Sequence, residues 1–177
     1  NKSTDASNAT LTAKANAAVT IDVSGAKADS KGFTLEGGSG SGNDVLKGGA
    51  AADIITGGAQ VDTITGNGGV DTISGGAGDD IITANSGDNS LFGGEGADTI
   101  NAGTGKDVIT GGVGNDVINL LTTSGNGTDT IVYSGLTDSL NGSDTILAIV
   151  EPLVNQDQFE QMESCEIAFK LQRVLVN

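Results

Sequence analysis

The sequence predicts an all-β fold, a right-handed parallel β-roll or β-helix, and three observations predict it. Between residues 39 and 119 a nine-residue phrase occurs nine times without a gap, its sixth position is Asp or Asn in every copy, and its eighth is always aliphatic. From Ser39 the copies read SGSGNDVLK, GGAAADIIT, GGAQVDTIT, GNGGVDTIS, GGAGDDIIT, ANSGDNSLF, GGEGADTIN, AGTGKDVIT and GGVGNDVIN. The sixth position is Asp44, Asp53, Asp62, Asp71, Asp80, Asn89, Asp98, Asp107 and Asp116; the eighth is Leu46, Ile55, Ile64, Ile73, Ile82, Leu91, Ile100, Ile109 and Ile118.

Each phrase divides into a six-residue turn and a three-residue strand. Glycine at the first, second and fourth positions supplies backbone angles and close approaches that a side chain would hinder. In the strand the eighth residue points inward and its neighbours outward, because side chains alternate. The neighbours favour Val, Ile and Thr, as in Thr63-Ile64-Thr65 and Val108-Ile109-Thr110, which suits a pleated surface. Three residues span only about 10 Å, so two phrases make one flattened turn, and successive turns stack at about 4.8 Å.

Upstream, residues 1–38 form a region of irregular N-terminal β rungs. Ala18–Val23 and Gly32–Glu36 alternate as strands do, and Leu11, Val23, Leu35 and Leu46 follow at spacings of 12, 12 and 11, as earlier rungs of the same coil would. Residues 120–150 hold two degenerate repeats, Asp129 with Ile131 and Asp144 with Ile146. Pro152 marks a change of character. Phe159, Met162 and Cys165 then fall at helical spacing, and residues 167–171 and 173–176 read as strands. A repeat stack needs its open apolar end covered, so residues 151–177 are expected to be a C-terminal cap or an export segment.

A glycine- and aspartate-rich nonapeptide of this form, G-G-x-G-x-D-x-U-x, is a sequence signature of calcium-binding parallel β structure. On residues 39–119 the chain resembles the RTX (repeat-in-toxin) family of secreted bacterial proteins. The resemblance implies Ca²⁺ ions between adjacent turns on one side, each held by two stacked aspartates and turn carbonyls. Carried over, the best pairs are Asp80 with Asp98 and Asp98 with Asp116, whose phrases keep Gly78, Gly96 and Gly114.

The residues point the same way. Alternate phrases share a side, so one column holds Asp44, Asp62, Asp80, Asp98 and Asp116 and the other Asp53, Asp71, Asn89 and Asp107. Carboxylates stacked at the strand spacing repel by roughly 1 kcal/mol in water and about 3.5 kcal/mol at an effective dielectric of 20. Summed along the first column this reaches about 4 to 14 kcal/mol, the scale of a whole domain's stability. A counter-ion is therefore expected. Carboxylates and exposed carbonyls make an all-oxygen cage, which suits Ca²⁺ better than the rigid, hydrated Mg²⁺; zinc would want His or Cys, and the chain has no His and one Cys. Ala51 and Gln60 replace the fourth-position glycine, so the turns before Asp53 and Asp62 are expected to be strained or to lack an ion. Asn89 removes a charge and weakens the sites beside it, and Phe92 replaces a small strand residue.

Composition narrows the function. Aromatics make up 3% of the 177 residues, there is no Trp, and the interior must be narrow and aliphatic. The formal charge of −15 repels nucleic acid and anionic lipid and attracts cations. Without His no Ser-His-Asp or Cys-His couple exists, and Cys165 has no base, so no catalytic site is expected. No segment reaches the roughly 20 apolar residues of a membrane span, and no N-terminal signal peptide is recognisable.

These features predict a calcium-binding structural module of a secreted bacterial surface-layer or adhesin-like protein, placed at the cell surface. It would self-associate through its outer faces into a lattice once calcium folds it. The other reading is the C-terminal folding and type I secretion module of a secreted enzyme or toxin, covalently linked to domains upstream of Asn1. A third reading, an ice-binding roll, is disfavoured because Phe92, Asn101 and Asn119 interrupt the outward threonines.

Overall fold

The computed structural model describes residues 9–12, 17–26, 31–122, 128–132 and 145–150. The expected cap or export segment, with Cys165, and Asp144 of the second degenerate repeat lie outside the described residues.

Among the described residues fourteen strands wind into a β-solenoid. They are β1 (Thr10–Thr12), β2 (Thr20–Asp22), β3 (Thr34–Gly38), β4 (Val45–Lys47), β5 (Ile54–Ala59), β6 (Thr63–Gly68), β7 (Thr72–Ala77), β8 (Ile81–Ser86), β9 (Ser90–Glu95), β10 (Thr99–Gly103), β11 (Val108–Val113), β12 (Val117–Thr122), β13 (Thr130–Ile131) and β14 (Thr145–Val150). Odd strands form one seven-stranded sheet, in the order β1-β3-β5-β7-β9-β11-β13, and even strands the other, β14-β12-β10-β8-β6-β4-β2. The pairings are parallel, and each strand lies beside the one two further along, for instance Ile55↔Ile73 and Ile64↔Ile82. One coil thus consumes two phrases.

From β5 to β12 the strands are five or six residues long, not the expected three. Each runs on through the opening residues of the next phrase, so that Gly58 pairs with Gly76, Gly94 with Gly112 and Asn67 with Asn85. The reason is repetition. From Gly58 onward a positive φ recurs at the second position (Gly58 +121°, Asn67 +74°, Gly76 +116°, Asn85 +72°), so the same irregularity lies above itself and the ladder of parallel bonds continues through it.

The two inner faces meet in a thin aliphatic core. Leu35, Leu46, Ile55, Ile64, Ile73, Ile82, Leu91, Ile100, Ile109 and Ile118 are all buried, with Ile21, Val23, Phe33, Leu120 and Ile131 packed against them. The N-terminal strands stack on the same sheets, Leu11 against Leu35, but the register places Ile21 rather than Val23 opposite Leu46. The even spacing of 12 pointed to Val23. The ladder instead takes Thr20-Ile21-Asp22 as the strand, and Val23 donates its N–H to the Lys47 carbonyl just beyond it. Downstream, Ile131 pairs with Ile109 and Ile146 with Ile118, despite the longer intervening sequence.

Burying a Leu or Ile side chain contributes about 1.5–3 kcal/mol, and each coil has only two such residues, so every one counts. Ile82→Ala, in mid-stack, is expected to lower stability by about 2–5 kcal/mol, whereas Ile81→Ala, at a side chain 44% exposed on the outer face, should change it by less than about 1 kcal/mol. Urea unfolding of both variants in saturating calcium checks this; equal losses would show that the inward and outward assignments are wrong.

Candidate metal centre

The alternation that turns Ile64 inward also turns Asp62 inward two residues earlier and Gly66 two residues later, so each phrase presents Asp or Asn, then Ile or Leu, then most often Gly to the interior. The carboxylates are accordingly buried: Asp62 is fully enclosed and the remaining sixth-position residues are at most 4% exposed.

Within each column the side chains form a ladder with the backbone. The Oδ1 of one aspartate accepts the N–H of its counterpart one coil earlier: Asp44 N–H to Asp62, Asp62 N–H to Asp80, Asp80 N–H to Asp98 and Asp98 N–H to Asp116, at 2.7–2.9 Å. In the second column Asp53 N–H donates to Asp71, Asp71 N–H to Asn89, and Asn89 N–H to Asp107. The ladder runs past the repeats at both ends. Val19 N–H donates to Asp44 and Phe33 N–H to Asp53, and Asp107 N–H donates to Asp129. Asp129 was not among the predicted site residues, although its TDTI context carries the signal.

The second carboxylate oxygen is where the chemistry lies. Oδ2 of Asp62, Asp71, Asp80, Asp98 and Asp107 is buried with no hydrogen-bond partner. In Asp62, Asp71, Asp80 and Asp98 it faces the first glycine of its own phrase and, across it, a backbone carbonyl of the next coil; Asp107 has Ala102 at that position. A Cβ on Gly57 would stand 2.5 Å from both Asp62 Oδ2 and the Gly75 carbonyl oxygen; on Gly66 it would stand 2.6 Å from Asp71 Oδ2 and 3.0 Å from the Ala84 carbonyl oxygen. Two acceptors thus converge on one small slot with no donor between them. Burying a charge without a partner is costly, so such a slot demands either a proton on the carboxylate or a cation.

Burial raises these carboxylates above the usual carboxylate range, with like charge in the same column adding to it: Asp71 and Asp98 to about 7, Asp80 to about 6, and Asp62 and Asp107 upward. The ladder bonds from the backbone oppose the rise. Among the described residues no group of three His, Cys, Asp or Glu side chains converges, so a cation here draws on carboxylate and main-chain oxygens together. That donor set suits a hard ion of flexible coordination, and Ca²⁺ fits it.

Two turns depart from the pattern. Ala51 lies outside the positive-φ region that the fourth position otherwise uses (Gly69 +119°, Gly78 +124°), and the turn rearranges so that Gly49 N–H donates to Asp53 Oδ2 at 2.6 Å. Asp53 Oδ2 therefore has a protein partner where Oδ2 of Asp62 and of Asp71 has none. Gln60 does adopt the left-handed conformation, at φ +77°, a strained choice for a residue with a side chain. The first phrase differs too. Gly37 takes the place that Gly57 has in its phrase, pairing one residue before Gly38↔Gly58, so the turn into Asp44 is two residues longer than the others.

The model of the RTX calcium-binding nonapeptide repeat, four copies long, matches residues 38–73, 65–100 and 92–120. Residues 38–120 are RTX repeats. No curated protein and no solved structure matches the chain. RTX repeats bind Ca²⁺ and occur in secreted proteins, and their β-roll is a structural module, not a catalytic one.

Two outcomes are expected of the RTX segment. Asp98→Ala should lower the number of ions bound in calorimetric titration, while Asp53→Ala should leave it nearly unchanged, because Gly49 N–H already serves the Asp53 Oδ2; equal losses would refute the distinction. The second concerns pH. The folded-state values lie above the unfolded aspartate value of about 3.9, so protonation favours the fold: the stability is fully present below about pH 4 and is lost as pH rises through 6 to 7. The calcium-free protein should then resist urea better at pH 5 than at pH 8, the reverse of ordinary acid denaturation.

Proposed function

We propose that this chain is a calcium-folded structural module of a secreted bacterial protein of the surface-layer or adhesin-like kind, acting outside the cell. The observation that carries the calcium part is the set of five buried, unpartnered Oδ2 atoms, four of which, in Asp62, Asp71, Asp80 and Asp98, face a glycine and a main-chain carbonyl. Asp62, Asp71, Asp80, Asp98 and Asp107 hold the ions in this reading, with Asp44 and Asp116 completing the first column and the turn carbonyls supplying further oxygens. Asp53 and Asn89 contribute to the ladder. The bound ion supplies positive charge, which the chain's own residues cannot: the described ion pair, Lys47 with Asp22, lies outside the columns.

A lattice role is supported by the continuity of both sheets from β1 and β2 through the repeats to β13 and β14, which makes the RTX segment the middle of one long body. Its flat outer faces carry Ile54, Ile81, Phe92 and Val108, all more than 40% exposed, among outward threonines. With a formal charge of −15 such faces repel one another until cations neutralise them. No helix among the described residues is long and apolar enough to cross a membrane.

Circular dichroism during calcium titration at pH 8 should show most of the β structure appearing at roughly 10⁻⁴ to 10⁻³ M, the range of extracellular modules, and that part disappearing on chelation. Light scattering and electron microscopy should then show ordered multimers at millimolar calcium. A spectrum indifferent to chelation would refute the calcium reading. A calcium-folded protein that stays monomeric would refute the lattice reading and favour the folding and type I secretion module of a secreted enzyme or toxin.

A further inference from the structure

Asn89 interrupts the charge of the second column without interrupting its ladder. Its Oδ1 accepts the Asp71 N–H at 2.9 Å, and its own N–H donates to Asp107 Oδ1 at 2.8 Å. The difference is at the other terminal atom. Where Asp71 and Asp107 leave a buried Oδ2 without a partner, Asn89 presents a donor, Nδ2, which binds the Gly87 carbonyl oxygen at 2.8 Å. The side chain is as buried as theirs, 1% exposed. A main-chain acceptor in this turn is therefore answered from within the protein.

The neighbouring alanine does not explain the difference. Ala84 stands at the first position of the Asn89 phrase, where most phrases have glycine, and its side chain is fully buried. Ala102 stands at the same place before Asp107 and is equally buried, yet Asp107 keeps an unpartnered Oδ2. Alanine is compatible with a carboxylate there, and the amide alone sets Asn89 apart.

We propose that the Asn89 turn is a metal-independent rung: its carboxamide does internally what a bound cation does at Asp71 and Asp107, so this rung folds without calcium and divides the second column into two separately filled stretches. The proposal rests on the calcium reading above. It assigns to the first column the only uninterrupted run of ion-demanding aspartates among the described repeats.

The test uses the full chain, with Ca²⁺ alone as the probe. Calorimetric titration should show that Asn89→Asp binds one more ion than the wild type and folds only at higher calcium. Hydrogen exchange on the calcium-free wild type should be slower in peptides covering 85–91 than in those covering 94–100. Wild-type calcium binding with an unchanged ion count in Asn89→Asp, or equally fast exchange in the two stretches, would overturn the proposal and leave the calcium reading standing. A wild type that takes up no calcium sinks both. Should Asn89→Asp fail to fold, Asn89→Ala decides: it removes Nδ2 without adding charge, and it is expected to lose the protection of 85–91 in calcium-free protein while the ion count stays the same. Unchanged protection in that variant would refute the amide's role.

Discussion

Acceptors face acceptors inside this solenoid, and most of its other features answer to that fact. The strand alternation that buries one isoleucine per phrase must also bury the residue two positions earlier, and that residue is an aspartate. Its Oδ1 is provided for by the backbone N–H of the preceding coil. Its Oδ2 is not, and the nearest main-chain group across the glycine slot is a carbonyl. A hydrophobic substitution would remove the problem and with it the ladder bond. The carboxylate is thus a group that ties neighbouring coils together only when something positive is supplied to its second oxygen, and that makes the fold conditional on its surroundings.

The glycines follow from the same constraint, for two separate reasons. At the second and fourth positions the chain takes positive φ, in the region that L side chains avoid. At the first position φ is ordinary and the reason is space: a Cβ on Gly57 or Gly66 would enter the slot between carboxylate and carbonyl. The turn before Asp53 shows the link between these roles. With Ala51 at the fourth position the left-handed angle is given up, the turn re-forms, and a backbone N–H that would otherwise point elsewhere reaches Asp53 Oδ2. Loss of one glycine's conformation converts an ion-demanding carboxylate into one satisfied by its own loop.

Most of this architecture was legible in the sequence because a strict period leaves little freedom. The invariant aliphatic eighth position marked the core from Leu46 to Ile118, and pairing of alternate phrases followed from the short reach of a nine-residue segment; both columns emerge in the expected order. What the phrase did not reveal was the division of labour within a carboxylate. Type and spacing identify Asp80 and Asp98 as neighbours, but whether their oxygens meet each other, a backbone N–H or an ion depends on which rotamer the packed coil allows. Outside the repeat the signal weakened for a related reason. Equal spacing suggested Val23 as a rung, while the ladder chose Ile21, since loops of unequal length carry no period from which register can be read. Asp129 was visible as a degenerate phrase, yet its place at the end of the second column broke the period, with a separation of 22 where the others are 18.

The ladder also determines how occupancy of one turn is felt by the next. A solenoid is quasi-one-dimensional, each coil touching only its neighbours, so its stability is close to a sum of rung and interface contributions. Here the interface contribution passes through the stacked aspartates themselves: Asp98 receives the N–H of Asp80 on Oδ1 and offers its own N–H to Asp116. An ion that fixes the Asp98 carboxylate therefore also orients the acceptor that holds Asp80 in place, and fixing Asp80 does the same for Asp62. Binding at one turn prepares the adjacent turn without any contact between the ions. In the calcium reading this coupling along the first column is reciprocal, each turn aiding the other equally, and only the Oδ1 bond has a direction, from a side chain back to the coil before it.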